Sequence, residues 1–182
     1  MTGILALALL ALAGLGLLLF NHLVRLRNQM RAAWADIDVQ LQRRHDLVPQ
    51  LVSTVGAYAG HERATLDAVT ALRAKAMATR DTAALGAVEG ELEQALGRLV
   101  AVVEAYPDLK ASANFLQLQR DLVEVEEHLQ YARRFFNGAV RDHNTAIERI
   151  PDVLVARGFG FAPAEFFQAG AEERAAVRVA LP

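Results

Sequence analysis

The chain has no cysteine. That excludes disulfides, thiolate metal sites and a cysteine nucleophile, and it fits a reducing compartment. Serine is almost as scarce, with only Ser53 and Ser112 present, and no G-x-S-x-G elbow surrounds either of them. Glycine-rich phosphate loops and dinucleotide fingerprints are missing too. Neither sign of charge dominates: 19 basic against 21 acidic residues give a net charge of −2, so no field draws nucleic acid to the protein. None of the five histidines (His22, His45, His61, His128, His143) has glutamate three positions before it, the spacing that di-metal bundles use. His61-Glu62-Arg63-Ala64-Thr65 departs from the H-E-x-x-H zinc motif at its last place, where threonine replaces the second ligand. No metal and no cofactor are expected.

What the chain does have is a long apolar run. Gly3 to Phe20 contains no charged or polar side chain and is followed by Asn21, His22 and then Arg25, Arg27 and Arg31. As a helix those residues span about 27 Å, against about 30 Å for the hydrocarbon core of a bilayer. A cleaved secretory signal is the competing reading. It would need a basic leader and a small-x-small site at the end of the run, whereas Met1-Thr2-Gly3 has no charged side chain and the A-x-A matches lie inside the run. A retained anchor is therefore expected. The arginines on its C-terminal flank, followed by Arg43 and Arg44, predict an N-terminus outside and a main domain in the cytoplasm. Arg25, Arg27 and Arg31 are candidates for contact with anionic headgroups at about 1 kcal/mol each. They read equally well as topology determinants alone.

Beyond the anchor the apolar period is helical throughout. Leu23, Leu26, Met30, Trp34, Ile37, Leu41, Val48, Val52 and Val55 extend the first helix, with Pro49 expected to kink it by removing one backbone hydrogen bond. A second helix runs from about His61 to Thr79. A third, capped by Asp81 or Thr82, carries Leu85, Val88, Leu92, Leu96, Leu99 and Val103 and stops at Tyr106-Pro107. Pro-Asp-Leu-Lys reads as a tight connection. From Ser112 or Asn114 to Pro151, three- and four-residue steps recur in a coiled-coil-like pattern. Such stripes bury one another as an antiparallel bundle, so the expected fold is all-α: an N-terminal transmembrane helix, then about four long helices. The organisation divides into anchor and basic flank (1–26), helical bundle (27–151) and an aromatic tail (152–182) packing on the bundle, where Phe159, Phe161, Phe166 and Phe167 are expected to cover one end, with a partner or membrane contact as the alternative. The tail loses the helical period, and its end, Val177 to Pro182, reads as a short extended strip.

One segment puts polar residues on the apolar seam. Around the stripe Trp34, Ile37, Leu41 and Val48, the side chains of Asp38, Arg44 and His45 fall at or beside the seam, and Asp46 follows. On the last long helix Arg133, Asn137 and His143 do likewise. These residues form either a polar pocket or docking groove between the first and last long helices, or an ion-paired layer that fixes register, which is the favoured reading. Glu124, Glu126, Glu127 and His128 are expected on a solvated face.

The stretch Asn21 to Glu62, with LVRLRNQM, AWADIDVQLQRRHDLVPQLV and YAGHE, closely resembles the LemA family. EAYPDLKASANFLQLQ (104–119) and YARRFFNGAVRDHN (131–144) continue the likeness over nearly the whole chain. The resemblance implies an N-terminal membrane anchor and a bundle of long helices, and supplies no activity. Ala35 stands where serine is expected, Phe136 and His143 where tyrosine is usual, and Ile150-Pro151 in place of Phe-Pro. Packing, rather than a tyrosine hydroxyl, is what Phe136 and His143 preserve.

The function expected is that of a membrane-anchored, non-enzymatic interaction or scaffold module in the cell membrane. Its expected partners are the lipid bilayer, an unidentified protein and, through the long stripes, a second copy of itself, with no nucleic acid. Two alternatives stand beside it: a ligand-binding sensor or membrane enzyme using the polar cluster, and a membrane-remodelling or self-assembling protein.

Overall fold

The structure is a computed structural model that describes residues 1–167. Among these residues there are six helices and no strand: α1 (Thr2–Gly56), α2 (Arg63–Ala78), α3 (Thr82–Val103), α4 (Pro107–Lys110), α5 (Ala113–Glu148) and α6 (Asp152–Gly158). The all-α class and the four long helices are those the periodicity specifies. Asp81 caps α3, its carboxylate accepting from the Ala84 amide at 2.8 Å. Two short elements differ from the sequence reading. Pro-Asp-Leu-Lys is a turn of helix rather than a bare connection, with Pro107 at the first position, where a missing N–H costs nothing. Residues 152–158 also form a helix, too short for a period to be visible. The extended strip expected at Val177–Pro182 lies outside the described residues.

The chain forms two compact units, and α1 and α5 each contribute to both. The first unit comprises Met1–Ile37 and Ala132–Phe166. Here α1 and α5 run antiparallel: Leu23 packs with Ala146 and Ile147, and the Trp34 ring meets Phe136 edge-on at 5.2 Å. Phe136 is buried in that contact, which is packing of the kind its replacement of tyrosine predicts. Ala156 of α6 joins the Leu23 cluster, with Leu26, Val155 and Phe161 at its edge. The aromatic residues after α6 fold back on α1, placing Phe159 4.8 Å and Phe161 6.0 Å from the Phe20 ring.

The segment after α6 has no ladder to satisfy its backbone, and one side chain substitutes. Asn144 donates through Nδ2 to the Ala164 carbonyl and accepts on Oδ1 from the Ala164 amide, each at 2.9 Å. This two-point clamp fixes the return of the chain onto α5. Replacing Asn144 with alanine removes both bonds, with an expected loss of about 1–3 kcal/mol. Amide exchange at Ala164 and nearby positions is expected to rise in Asn144→Ala while exchange in α3 stays unchanged.

The second unit comprises Asp38–Tyr131, with Phe167 the last described residue assigned to it. Its core is aliphatic: Val48, Leu51 and Val55 of α1, Val69 of α2, Leu92, Leu96 and Leu99 of α3, and Leu118 and Leu122 of α5. Leu109 of α4 and Phe115 belong to the same cluster. Within this unit α5 lies antiparallel to α1, since Arg44 pairs with Glu126 near one end and Thr54 with Asn114 near the other.

A buried ion cluster as the candidate functional site

The polar centre of the second unit begins with Arg44, whose side chain has no solvent exposure. A guanidinium cannot be buried without anionic partners, and two other helices supply them. Nη1 donates to Glu89 Oε2 of α3 at 2.8 Å and lies 3.4 Å from the Glu89 carbonyl. Nη2 donates to Glu126 of α5 and lies 3.8 Å from Glu93. Glu89, also fully buried, has its second carboxylate oxygen 2.8 Å from His45 Nε2. Because an ionised carboxylate only accepts, Nε2 is the donor there. One buried carboxylate is thus held on both oxygens by consecutive residues of α1.

Burial alone would raise the Glu89 carboxyl. The His45 hydrogen bond and the Arg44 and His45 charges outweigh that and hold it below its ordinary value of 4.5.

Pro49 completes the arrangement. In an α-helix the His45 carbonyl would accept from the amide four residues on, but that residue is proline and has no N–H. Arg73 of α2 fills the vacancy, donating through Nε to the His45 carbonyl at 2.7 Å. Helix α1 accordingly continues as helix through Pro49 to Gly56. His45 therefore contacts α3 through its ring and α2 through its backbone. The backbone hydrogen bond that Pro49 removes is thus replaced by a contact between helices.

The polar residues singled out in the sequence are placed as follows. Arg44 and His45 are in the cluster. Asp38 and Asp46 are exposed and outside it; Asp46 accepts from Gln42 at 3.1 Å on its own helix face. Arg133, buried, and Asn137, half-buried, belong to the first unit. So does His143, whose ring lies 6.5 Å from that of Phe161. Arg25 and Arg31 are exposed, whereas Arg27 is half-buried with its guanidinium 5.0 Å above the Phe161 ring. The sequence reading missed Glu89, Glu126 and Arg73. Glu126 corrects the expected solvated face: Glu124 and His128 are about half exposed, but Glu126 turns inward to Arg44. A signal for Glu89 was present, since it stands four residues after Leu85 and three before Leu92, on the apolar side of α3. Among the described residues no group of three His, Asp or Glu side chains is placed to hold a metal ion.

The family model described as the LemA family matches residues 33–181. The chain belongs to the LemA family. Protein LemA of Metamycoplasma hominis is 27% identical over 156 residues, covering 85% of this chain and 71% of that protein. Magnetosome protein MamQ 2 of Paramagnetospirillum magneticum is 25% identical over 178 residues, covering 84% of this chain and 65% of its own length. Magnetosome protein MamQ of Magnetospirillum gryphiswaldense is 24% identical, covering 92% of this chain and 71% of its own length. This LemA-family chain thus spans about two thirds of the length of the magnetosome proteins it resembles.

Two outcomes follow for the cluster. A carboxylate whose folded pKa is lowered stabilises the fold fully above its unfolded value, and that contribution is lost as pH falls through the folded value. The melting temperature of the detergent-solubilised protein is expected to fall as pH drops below about 4.5. Glu89→Gln should melt lower at neutral pH and show a shallower acid decline, as thermal melts from pH 7 to 3 would reveal. For the carbonyl contact, Arg73→Met should cost about 1–3 kcal/mol. It should cost clearly less in a Pro49→Ala background, where the backbone amide gained by that substitution can satisfy the His45 carbonyl.

Proposed function

We propose that this protein is a single-pass, membrane-anchored helical bundle that acts as a non-enzymatic interaction module. The observation that carries this reading is the first third of α1. Its apolar window is long enough to cross a bilayer, none of it is buried by the protein, and it continues without a break into a helix that is packed farther along. Apolar side chains left uncovered on that scale are stable only in hydrocarbon, whereas the core helix of a water-soluble protein is buried by its neighbours. In the proposed arrangement the N-terminus lies outside and the bundle in the cytoplasm, following the arginines at 25, 27 and 31. Arg25 and Arg31 are exposed and available to anionic headgroups, while Arg27 divides its interactions with the Phe161 ring.

The non-enzymatic part rests on how the polar centre is used. Both oxygens of Glu89 are taken by Arg44 and His45, and neither Arg44 nor Glu89 reaches solvent. A general acid or base must reach a substrate atom, so a saturated, enclosed carboxylate suits a structural role.

The absence of cysteine makes the test direct. The full chain should stay with membranes in alkaline carbonate. A membrane-impermeant maleimide should label Thr2→Cys in intact cells and Glu91→Cys only after lysis. Release by carbonate, or a mature polypeptide missing its first two dozen or so residues, would overturn the anchor. The reverse labelling pattern would overturn the orientation alone. Replacing Arg25, Arg27 and Arg31 together by glutamine should change orientation or lipid preference and leave the helical circular dichroism signal intact.

A further inference from the structure

In the first unit, three of the large apolar residues exposed beyond the anchor, Ile150, Leu154 and Phe159, are gathered at one level; Phe135, about half exposed farther along α5, is not among them. From Leu23 to Trp34 along α1, the partners on α5 run back from Ile147 to Phe136, the same eleven residues in the opposite direction. In that register Ile150, three residues past Ile147, comes level with Phe20, the last residue of the apolar run. Helix α6 then turns back, burying Asp152 and Ala156. The chain next brings Phe159 against Phe20 itself.

What α6 buries and what it presents are opposite. Ala156 packs beside Leu23, so Leu154, about half a turn away around the helix, faces outward and is 73% exposed. Ile150 is 81% exposed and Phe159 67%. Three large apolar side chains uncovered within one short turn-helix-turn are uncommon on a surface facing water. Exposed arginines stand among them in the sequence, Arg149 before α6 and Arg157 within it, and Arg25 is exposed on α1 five residues past Phe20. Glu148 is an exposed acid nearby, and the Asp152 carboxylate is buried and bonded to Arg149 at 3.1 Å. Apolar tips with arginines beside them match the boundary between acyl chains and anionic headgroups.

We propose that α6 and its flanks form an interfacial foot, with Ile150, Leu154 and Phe159 inserted into the same bilayer that the anchor crosses. This rests on the anchor proposed above, because Phe20 marks the bilayer boundary only if the run before it spans. The occupant is lipid because the patch is continuous with the anchor: the Phe159 ring lies on Phe20, which must itself sit at the edge of the hydrocarbon. The foot adds a second point of attachment and fixes how the first unit meets the membrane. Phe161, which touches both Phe20 and Arg27, links the foot to the basic flank.

Single cysteines carrying a polarity-sensitive fluorophore test this in the full chain, reconstituted in vesicles of phosphatidylethanolamine and phosphatidylglycerol. Sites are Leu154→Cys and Phe159→Cys, with Leu10→Cys within the run and Arg141→Cys on exposed α5, about 13 Å along the helix from Ile150. The 154 and 159 labels should be quenched by a lipid carrying a nitroxide near its headgroup and be several-fold less sensitive to aqueous iodide than the 141 label. If Leu10 is shielded from iodide while 154 and 159 are as accessible as 141, the foot is wrong and the anchor stands. If iodide reaches Leu10, both are overturned. Labels at 154 and 159 that are shielded from iodide but untouched by the lipid nitroxide would mean protein covers the patch, and would also overturn the proposal.

Discussion

The second unit is organised around one electrostatic constraint: the Glu89 carboxylate and the Arg44 guanidinium lie where water does not reach. Burying either ion alone would be prohibitive, so the helices carrying them must meet in a single register. Arg44 and His45, adjacent on α1, approach Glu89 from the same helix and bind its two oxygens. Glu126 brings α5 into the same arrangement, and Arg73 brings α2 through the carbonyl that Pro49 leaves unbonded. The aliphatic core around Val48, Leu92 and Leu118 supplies the larger driving force, but aliphatic packing tolerates sliding in a way that ion pairs do not.

Both oxygens of Glu89 are engaged by Arg44 and His45, and neither Arg44 nor Glu89 reaches solvent. The proposed role is one exercised through surfaces. The first unit has the surfaces suited to this. It contains the uncovered apolar run, the basic flank and α6 with its outward apolar side chains. There Asn144 and the aromatic rings of Phe20, Phe159 and Phe161 hold the returning chain. The chain belongs to the LemA family, and the relatives it matches are identical to it at roughly a quarter of the aligned positions.

Most of the helical architecture was legible because long amphipathic helices repeat their signal. The stripe through Trp34, Ile37, Leu41 and Val48 and that through Leu85, Val88, Leu92 and Leu96 each run for several turns, enough to specify a face. Helix α6 escaped notice because seven residues hold only two turns of period. For the polar centre, Arg44 and His45 were visible as breaks in an apolar seam, whereas Asp38 and Asp46 are near neighbours in sequence that point to solvent. Glu89 and Glu126 were harder, since acids are usually read as surface and the deciding fact, a buried arginine across the bundle, is a tertiary one. Arg73 was illegible for a further reason. Its partner is a backbone carbonyl made available by a proline four residues downstream, and nothing in the sequence of α2 points to it.

A double-mutant cycle between Arg44 and Glu89, read by chemical denaturation of the full chain in detergent, tests the central claim most directly. If the ion pair sets the register, Arg44→Met and Glu89→Leu should each destabilise by about 3–5 kcal/mol, because each removes a main partner of a buried charge and leaves Arg44 only its Glu126 and Glu93 contacts or Glu89 only His45. Removing both should cost far less than the sum, giving a coupling of about 2 kcal/mol or more. Additive effects within about 0.5 kcal/mol would contradict the account.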